Sequence, residues 1–303
     1  MNLNQLRFFL AVADASSFSK AAEQCCVTQP SLSNAIAQLE SELEGRLFIR
    51  NTRQVSLTPL GEHLRPLIAE VLDAKVGVTQ AARSFLNPSH KLIRIGMSPL
   101  INTQLVATAL EPFRRKNPET EIIFKECLLD ELNQRMDEHK IDLAFLLSEP
   151  RKSGQACETF YSEPLYYLPN EDQAAAPLPS GPVTLASISE ETIMVSKGCG
   201  LADGLHHLFT SQGLKMQEYP GQALSYQVLE DWAGLGIGAA ILPQSKISSR
   251  NNSTCPLHVV KDQPATFVYE TVWNDNITQS RHVNDLLTHF KKVVPKLVEG
   301  LAA

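Results

Sequence analysis

Apolar and small residues recur at helical spacing through the first forty positions, with one break. Leu6, Phe9, Leu10 and Ala13 mark a first stripe, and Ala21, Ala22 and Cys25 a second. After an interruption at Val27 and Thr28, Leu32, Ile36 and Leu39 mark a third. Thr28 suits an N-cap, because its hydroxyl can accept from an orphan amide of the first turn. Pro30 falls in that turn, where a missing N–H costs no intrahelical bond. The outward face carries Gln29, Ser31, Ser33, Asn34 and Gln38, short polar groups able to donate and accept at base edges and phosphates. The pattern predicts a helix-turn-helix whose second helix, with Thr28, Gln29 and Pro30 at its start, lies in a DNA major groove. Next, RLFIRNTRQVSLT reads as two short extended runs. Arg50 and Arg53 near their tip suit phosphate or minor-groove contact, as on the wing of a winged helix-turn-helix.

From Thr58 and Pro59 the period changes. Leu60, Leu64, Leu67, Val71, Ala74, Val78, Ala81 and Phe85 follow one another in steps of four and three, a heptad seam. This predicts a long linker helix that pairs with a second copy and ends near Asn87 and Pro88. Two wings about a two-fold axis would then read a pseudo-palindromic site.

From Lys91 short apolar strands alternate with amphipathic helices. LIRIGMS, EIIFKE and IDLAFLL read as strands around two helices, one running through Pro112 to Lys116 and one at DELNQRMDEH. After SEPLYYLP a second set begins, with TIMVSKG and IGAAILP as strands and LADGLHHLFTSQG and SYQVLEDWAGLG as helices. TFVYETVWN is a return strand, and a final amphipathic helix starts at Val283. Strands separated by helices imply parallel sheet with crossover helices. The expected organisation is a winged helix-turn-helix over 1–58, a linker and dimerisation helix over 59–90, and a two-lobed α/β domain over 91–303. Within it, lobe 1 takes about 91–161 and 270–303 and lobe 2 about 162–269, giving two crossings and a cleft between the lobes.

Ligands of open α/β sheets bind beyond the carboxyl ends of strands, where helix N-termini present free amides. Two junctions qualify. Ser98, Pro99, Leu100, Asn102 and Thr103 form one, and Ser196, Lys197 and Cys199 the other, Lys197 bringing a positive charge. Together they suit a small organic anion. Gln227 lies on a helix that could reach the cleft. Trp232 reads as packing, and Glu230 and Asp231 as a solvated helix face.

Composition narrows the class. The chain has 303 residues and a formal net charge of −6, so DNA binding requires bases and acids to be sorted by face. Arg7, Lys20, Arg46, Arg50 and Arg53 are matched in number by Asp14, Glu23, Glu40, Glu42 and Glu44. MNLNQLRFF does not read as a secretory signal, and no run is long and apolar enough to span a bilayer. Six cysteines without CxxC spacing suggest reduced thiols, so the expected location is cytoplasmic, with no membrane partner. Enzyme readings find little support: Gly96-Met97-Ser98-Pro99-Leu100 lacks the last glycine of a nucleophile elbow, and no glycine-rich phosphate loop occurs. His206 and His207 are adjacent on a helix and diverge, a poor metal pair. No metal or cofactor is expected, only a small-molecule effector. Cys199, in a glycine-flanked loop ahead of a helix and near Lys197, supplies an alternative as a redox-sensing thiol. The C-terminal part alone would read as a solute-binding protein, which the N-terminal winged helix argues against.

The order of helix-turn-helix, RLFxRxxRxVxLTPLG and long helix resembles the LysR-type transcriptional regulators, and GLGIGAAILP (Gly234 to Pro243) resembles the same family. The resemblance implies a ligand-responsive, sequence-specific DNA-binding regulator, dimeric or tetrameric, with RNA polymerase a further candidate partner. It implies an effector domain folded like periplasmic solute-binding proteins, with Ser98 and the loop from Ser196 to Leu201 contacting the effector. Leu129 stands where many relatives carry serine or threonine, which makes that patch more apolar. Asn34 stands where many carry arginine. One branch of the family senses oxidants through two cysteines; here none follows Cys199 within the next helix, leaving Cys157 or Cys255 as resolving partner.

Overall fold

The structure, a computed structural model, describes residues 1–51, 54–86, 91–150, 154–170, 181–251, 253–275 and 280–302. The chain divides into two compact units, Met1–Pro88 and Ser89–Ala303.

In the first unit, α1 (Leu3–Ala15), α2 (Phe18–Gln24) and α3 (Gln29–Glu42) form a three-helix core, followed by a hairpin of β1 (Phe48–Asn51) and β2 (Gln54–Leu57) and by α4 (Pro59–Leu86). Each of the first three helices starts at a side-chain cap. Asn2 accepts from the Gln5 amide in a reciprocal capping box, Ser17 accepts from Lys20, and Thr28 accepts from Ser31. The stripes converge as their spacing predicts: Leu6, Phe9, Val12, Ala21, Leu32, Ile36 and Leu39 are buried together. Phe48 of the hairpin closes this core, its ring 5.3 Å from Phe9 and 5.6 Å from Phe18. The hairpin is held to α3 by charge: the Glu40 carboxylate accepts from the Leu47 and Phe48 amides at 2.7 and 3.2 Å. At the start of α4, the Thr58 hydroxyl accepts from the Gly61 amide. A Cβ at Gly61 would stand 2.4 Å from the Leu47 carbonyl oxygen, so only glycine lets the helix pass the hairpin this closely.

In the second unit, β3 (Lys91–Met97), α5 (Thr103–Lys116), β4 (Thr120–Glu126), α6 (Leu129–Asp137) and β5 (Leu143–Leu147) alternate as expected, and the three strands are parallel. The next strand, β6 (Gln155–Leu168), covers the SEPLYYLP stretch that reads from sequence as a divider. It is the backbone of the fold. Nine of its first ten residues pair with β13 (Thr266–Asn274), with Phe160 skipped at a bulge, and its last four with β10 (Ala239–Pro243), antiparallel in both cases. Lobe 2 adds β7 (Val183–Thr184), β8 (Thr192–Met194), α7 (Leu201–Ser211), β9 (Gln217–Glu218), α8 (Tyr226–Gly234), β11 (Cys255–Val260) and β12 (Gln263–Pro264). The chain closes with α9 (Arg281–Ala302), whose buried face is Val283, Leu286, Leu287, Phe290 and Val294.

Among the described residues of the second unit the strands form one hydrogen-bonded path, β4-β3-β5-β13-β6-β10-β8-β9, with β11 paired to β6 and β7. The sheet is therefore mixed rather than purely parallel. The two crossings are β6 itself and the chain entering β13, tied where the Leu165 amide donates to the Ala265 carbonyl at 2.9 Å. Near the far edge, Asp142 is buried and takes the Arg94 guanidinium in a two-point bond, at 2.7 and 3.1 Å. No helix among the described residues is long and apolar enough to cross a membrane.

Candidate functional site

Two surfaces carry the sequence-predicted residues, one in each unit. On the first, Thr28, Gln29, Pro30, Ser31, Asn34 and Gln38 are exposed along α3, and Ser33 is half-buried. Gln29 Nε2 donates to Ser33 Oγ at 3.0 Å, so these two act as a pair. Gln38 has a structural contact as well: its Oε1 accepts from Gln5 Nε2 of α1 at 3.4 Å. The side chain of Arg50, and all of Arg53, lie outside the described residues. The acids are sorted by use. Glu40 holds the hairpin amides, Glu42 meets the chain's amino terminus, and Asp14 pairs with Arg65 at 2.8 Å.

The seam on α4 separates into two faces. Leu60 and Leu64, expected to face a second copy, pack instead on their own unit's core beside Ile68 and Leu72. The reason is the helix's first two turns, which lie against the hairpin and α1. Leu67, Val71 and Val78 are exposed, Val78 to 71%. The Phe85 side chain lies outside the described residues.

In the second unit the two predicted junctions meet. The Ser98 amide donates to Phe145 at 2.9 Å, which fixes the end of β3, and its hydroxyl donates across to the Cys199 carbonyl at 2.7 Å. The Leu129 amide donates to the Gly198 carbonyl at 2.8 Å. The Lys246 ammonium donates to the Ile101 carbonyl at 2.7 Å. Each bond joins lobe 1 to lobe 2. Gly198 and Gly200 have φ of +79° and +96°, which favours glycine, and their open faces lie against Leu128, Leu129 and Leu147.

Several expectations change here. Several amides of the first junction are already used: Leu100 donates to Ser98 Oγ, Asn102 to the Tyr161 hydroxyl, and Leu105 to the Asn102 side chain. Asn102 is thus the N-cap of α5, with its side-chain oxygen accepting from Leu105; Thr103 is exposed, Pro99 half-buried and Leu100 buried. Lys197 leaves the cleft, because Glu218 on β9 draws it into an ion pair at 2.8 Å that His206 also joins at 2.7 Å. Those two partners hold the Glu218 carboxyl below its usual range. Gln227 is exposed and donates to Asp231 at 3.0 Å, on the outer face of α8. Glu230, read as solvated, is buried, because its carboxylate accepts from the Ser248 amide and from Asn251 Nδ2. Ser196 is buried, and Cys199 is 2% exposed with its thiol directed at the Ser196 carbonyl, 3.6 Å away.

The sequence reading misses a second ring of polar groups behind these junctions. Tyr161 and Tyr269 stack with ring centroids 4.5 Å apart. Lys246 lies over the Tyr226 ring at 5.6 Å. Glu163 is buried on β6 and accepts from the Ser245 amide and, at 3.1 Å, from the Ser245 hydroxyl. Burial pushes the Glu163 carboxyl up and the Lys246 ammonium down, each toward its neutral form. The hydroxyls of Tyr226 and Tyr269 are buried with no hydrogen-bond partner among the described residues. The one sequence signal for this ring is a lysine three residues after an all-apolar strand. No group of three or more metal-ligating side chains occurs among the described residues.

Comparison with known proteins places both units. Residues 3–62 match the model for the bacterial regulatory helix-turn-helix protein of the lysR family, and residues 87–295 match the LysR substrate binding domain. The chain is similar to the nitrogen assimilation regulatory protein nac of Klebsiella aerogenes, at 25% identity over 82% of this chain and 80% of that one. It is also similar to the hydrogen peroxide-inducible genes activator of Dickeya chrysanthemi, at 26% identity over 87% of each. Among solved structures, full-length CbnR complexed with its target DNA aligns over 97% of this chain and 99% of that one, with TM-score 0.64 and 16% identity. A helix-turn-helix unit followed by a two-lobed substrate-binding unit is the architecture these comparisons share, and the chain belongs to the LysR family of DNA-binding transcriptional regulators.

Proposed function

We propose that the regulator is gated by a small organic acid bound between the lobes of its second unit. The three hydrogen bonds from lobe to lobe, at Ser98, Leu129 and Lys246, carry this reading. They hold one closed arrangement that a ligand can stabilise or disrupt, and a ligand shifts such an equilibrium only by preferring one state. Two copies pair through the exposed apolar face of α4 at Leu67, Val71 and Val78, and a tetramer follows by pairing of dimers. Gln29, Ser31, Ser33 and Asn34 face bases or adjacent phosphates, and wing arginines Arg50 and Arg53 add phosphate contacts. The protein works on DNA in the cytoplasm without catalysing a reaction, and RNA polymerase is its further partner.

Thermal unfolding of the full chain with a panel of small metabolites, and separately with peroxide, tests the gating. Stabilisation by one carboxylate that grows with its concentration supports it. A shift with peroxide alone, abolished by Cys199→Ser, replaces it with a thiol switch. That second reading draws on the similarity to the peroxide-inducible activator, and the burial of Cys199 weighs against it.

A further inference from the structure

Resting on the cleft reading above, we infer that Lys246, with the hydroxyls of Tyr226 and Tyr269, is the receptor for the effector's carboxylate, and that this receptor selects monoanions. The outer part of the cleft is occupied by the protein itself. Leu128 and Leu129 lie against Gly198 and Gly200, and the Leu129 amide is bonded to Gly198. Lys197 is spent on Glu218 outside. The polar groups with bonding capacity left over are deeper, at the ring behind the junctions.

Three observations converge on that ring. Tyr269 is completely buried, its ring is stacked on Tyr161, and its hydroxyl has no partner among the described residues. The Tyr226 hydroxyl is buried and unpartnered in the same way. Each such group leaves its desolvation unrecovered, which an acceptor atom placed there would return. The third is Lys246, a half-buried ammonium lying over Tyr226 and bonded to a neutral carbonyl, Ile101. A carboxylate would exchange that neutral acceptor for a charged one, the stronger kind of bond. Because the Ile101 bond joins the lobes, the exchange also changes what holds the cleft closed.

Charge sets the selectivity. Glu163 is bonded to Ser245, the residue before Lys246, and Glu126 ends β4 beside Met97, next to Ser98. A ligand with one carboxylate meets one ammonium and two phenolic donors. A second carboxylate would add a negative charge close to Glu163 and Glu126, with the one ammonium of Lys246 already engaged by the first. Leu100 and Ile101, buried beside Ser98, favour an apolar remainder.

Thermal unfolding of the full chain with propionate, propionamide and succinate tests this in the natural protein, Lys246→Met, Tyr226→Phe and Lys197→Met. Propionate should raise Tm in a concentration-dependent way, and its uncharged amide and the dianion should not. Lys246→Met should weaken the propionate response at least tenfold, Tyr226→Phe severalfold, and Lys197→Met should leave it unchanged. Circular dichroism and retained DNA binding verify folding, and Tyr226→Phe keeps the ring under Lys246 should the lysine variant fail to fold. An unaltered propionate midpoint in Lys246→Met and Tyr226→Phe removes the receptor while leaving the cleft reading intact. Stabilisation by succinate and not propionate overturns the monoanion class. No response to any carboxylate overturns the receptor and the organic-acid reading together.

Discussion

The Ser98 hydroxyl donates to the carbonyl oxygen of Cys199 across the cleft, at 2.7 Å, and at the same time accepts from the Leu100 amide. One buried oxygen thus shapes the turn after β3 and holds the facing loop of lobe 2. Ser98→Ala should leave the Cys199 carbonyl and the Leu100 amide without this partner and destabilise the second unit by about 1–3 kcal/mol. Urea unfolding of the full chain measures it. DNA affinity in the absence of effector should not change, since Ser98 belongs to the second unit; a parallel loss of DNA binding would contradict modular action.

A comparable anchor operates in the first unit, where Glu40 accepts from the amides of Leu47 and Phe48. Removing a charged acceptor from such bonds costs about 1.5–3 kcal/mol. Glu40→Ala should therefore loosen the hairpin, lower the stability of the first unit, and weaken binding to duplex DNA although it removes a negative charge. Fluorescence anisotropy against a duplex, repeated over a salt series, separates the effects. A gain in affinity would mean that charge outweighs hairpin placement.

Much of this was legible in the pattern of apolar positions. The stripe ending in Leu32, Ile36 and Leu39 is the core face of α3, and Thr28 caps it, because local spacing and capping need no distant partner. β6 was not legible. QACETFYSEPLYYL carries a proline, two glutamates, a threonine and a serine between apolar residues, and its strand character comes from pairing with β13 and β10, more than seventy residues away. The cleft shows the same division. Ser98 and Cys199 were foreseeable from strand-to-helix junctions, whereas the inward turn of Lys246 and the outward turn of Lys197 depend on Ile101 and Glu218, far off in sequence. Glu230 misled for the same reason: its partners Ser248 and Asn251 are in a later turn.

The Glu218 cluster makes a pH prediction with a definite sign. Its folded carboxyl is held below the ordinary value by hydrogen bonds from Lys197 and then His206. The stabilisation is therefore present above the unfolded carboxylate pKa of about 4.3 and is lost as pH falls through the lower folded value. Glu218→Gln should be less stable than the natural protein at pH 6, and the difference should shrink as pH falls below about 4. Thermal unfolding across that range reads it out. A gap that stays constant down to pH 3 would show that packing, and not the ion cluster, accounts for the variant.

The two faces of α4 call for opposite outcomes from similar substitutions. Leu64 packs on the core of its own unit beside Ile68, so Leu64→Ala should cost about 1–3 kcal/mol of stability, less than a fully buried leucine because it is half-exposed. Val71 and Val78 are exposed, and burying them against a second copy is what the proposed pairing requires. Val71→Asp with Val78→Asp should leave the first unit folded and place four carboxylates in the seam of a pair, which opposes association. Sedimentation equilibrium should show a shift toward monomer, and duplex binding should weaken because a lone winged unit forfeits the second half-site. Leu64→Ala should show the reverse, a lower Tm with the association constant nearly unchanged at temperatures where it is folded. If the double aspartate variant associates as tightly as the natural protein, α4 is not the pairing surface, and its exposed valines need another explanation.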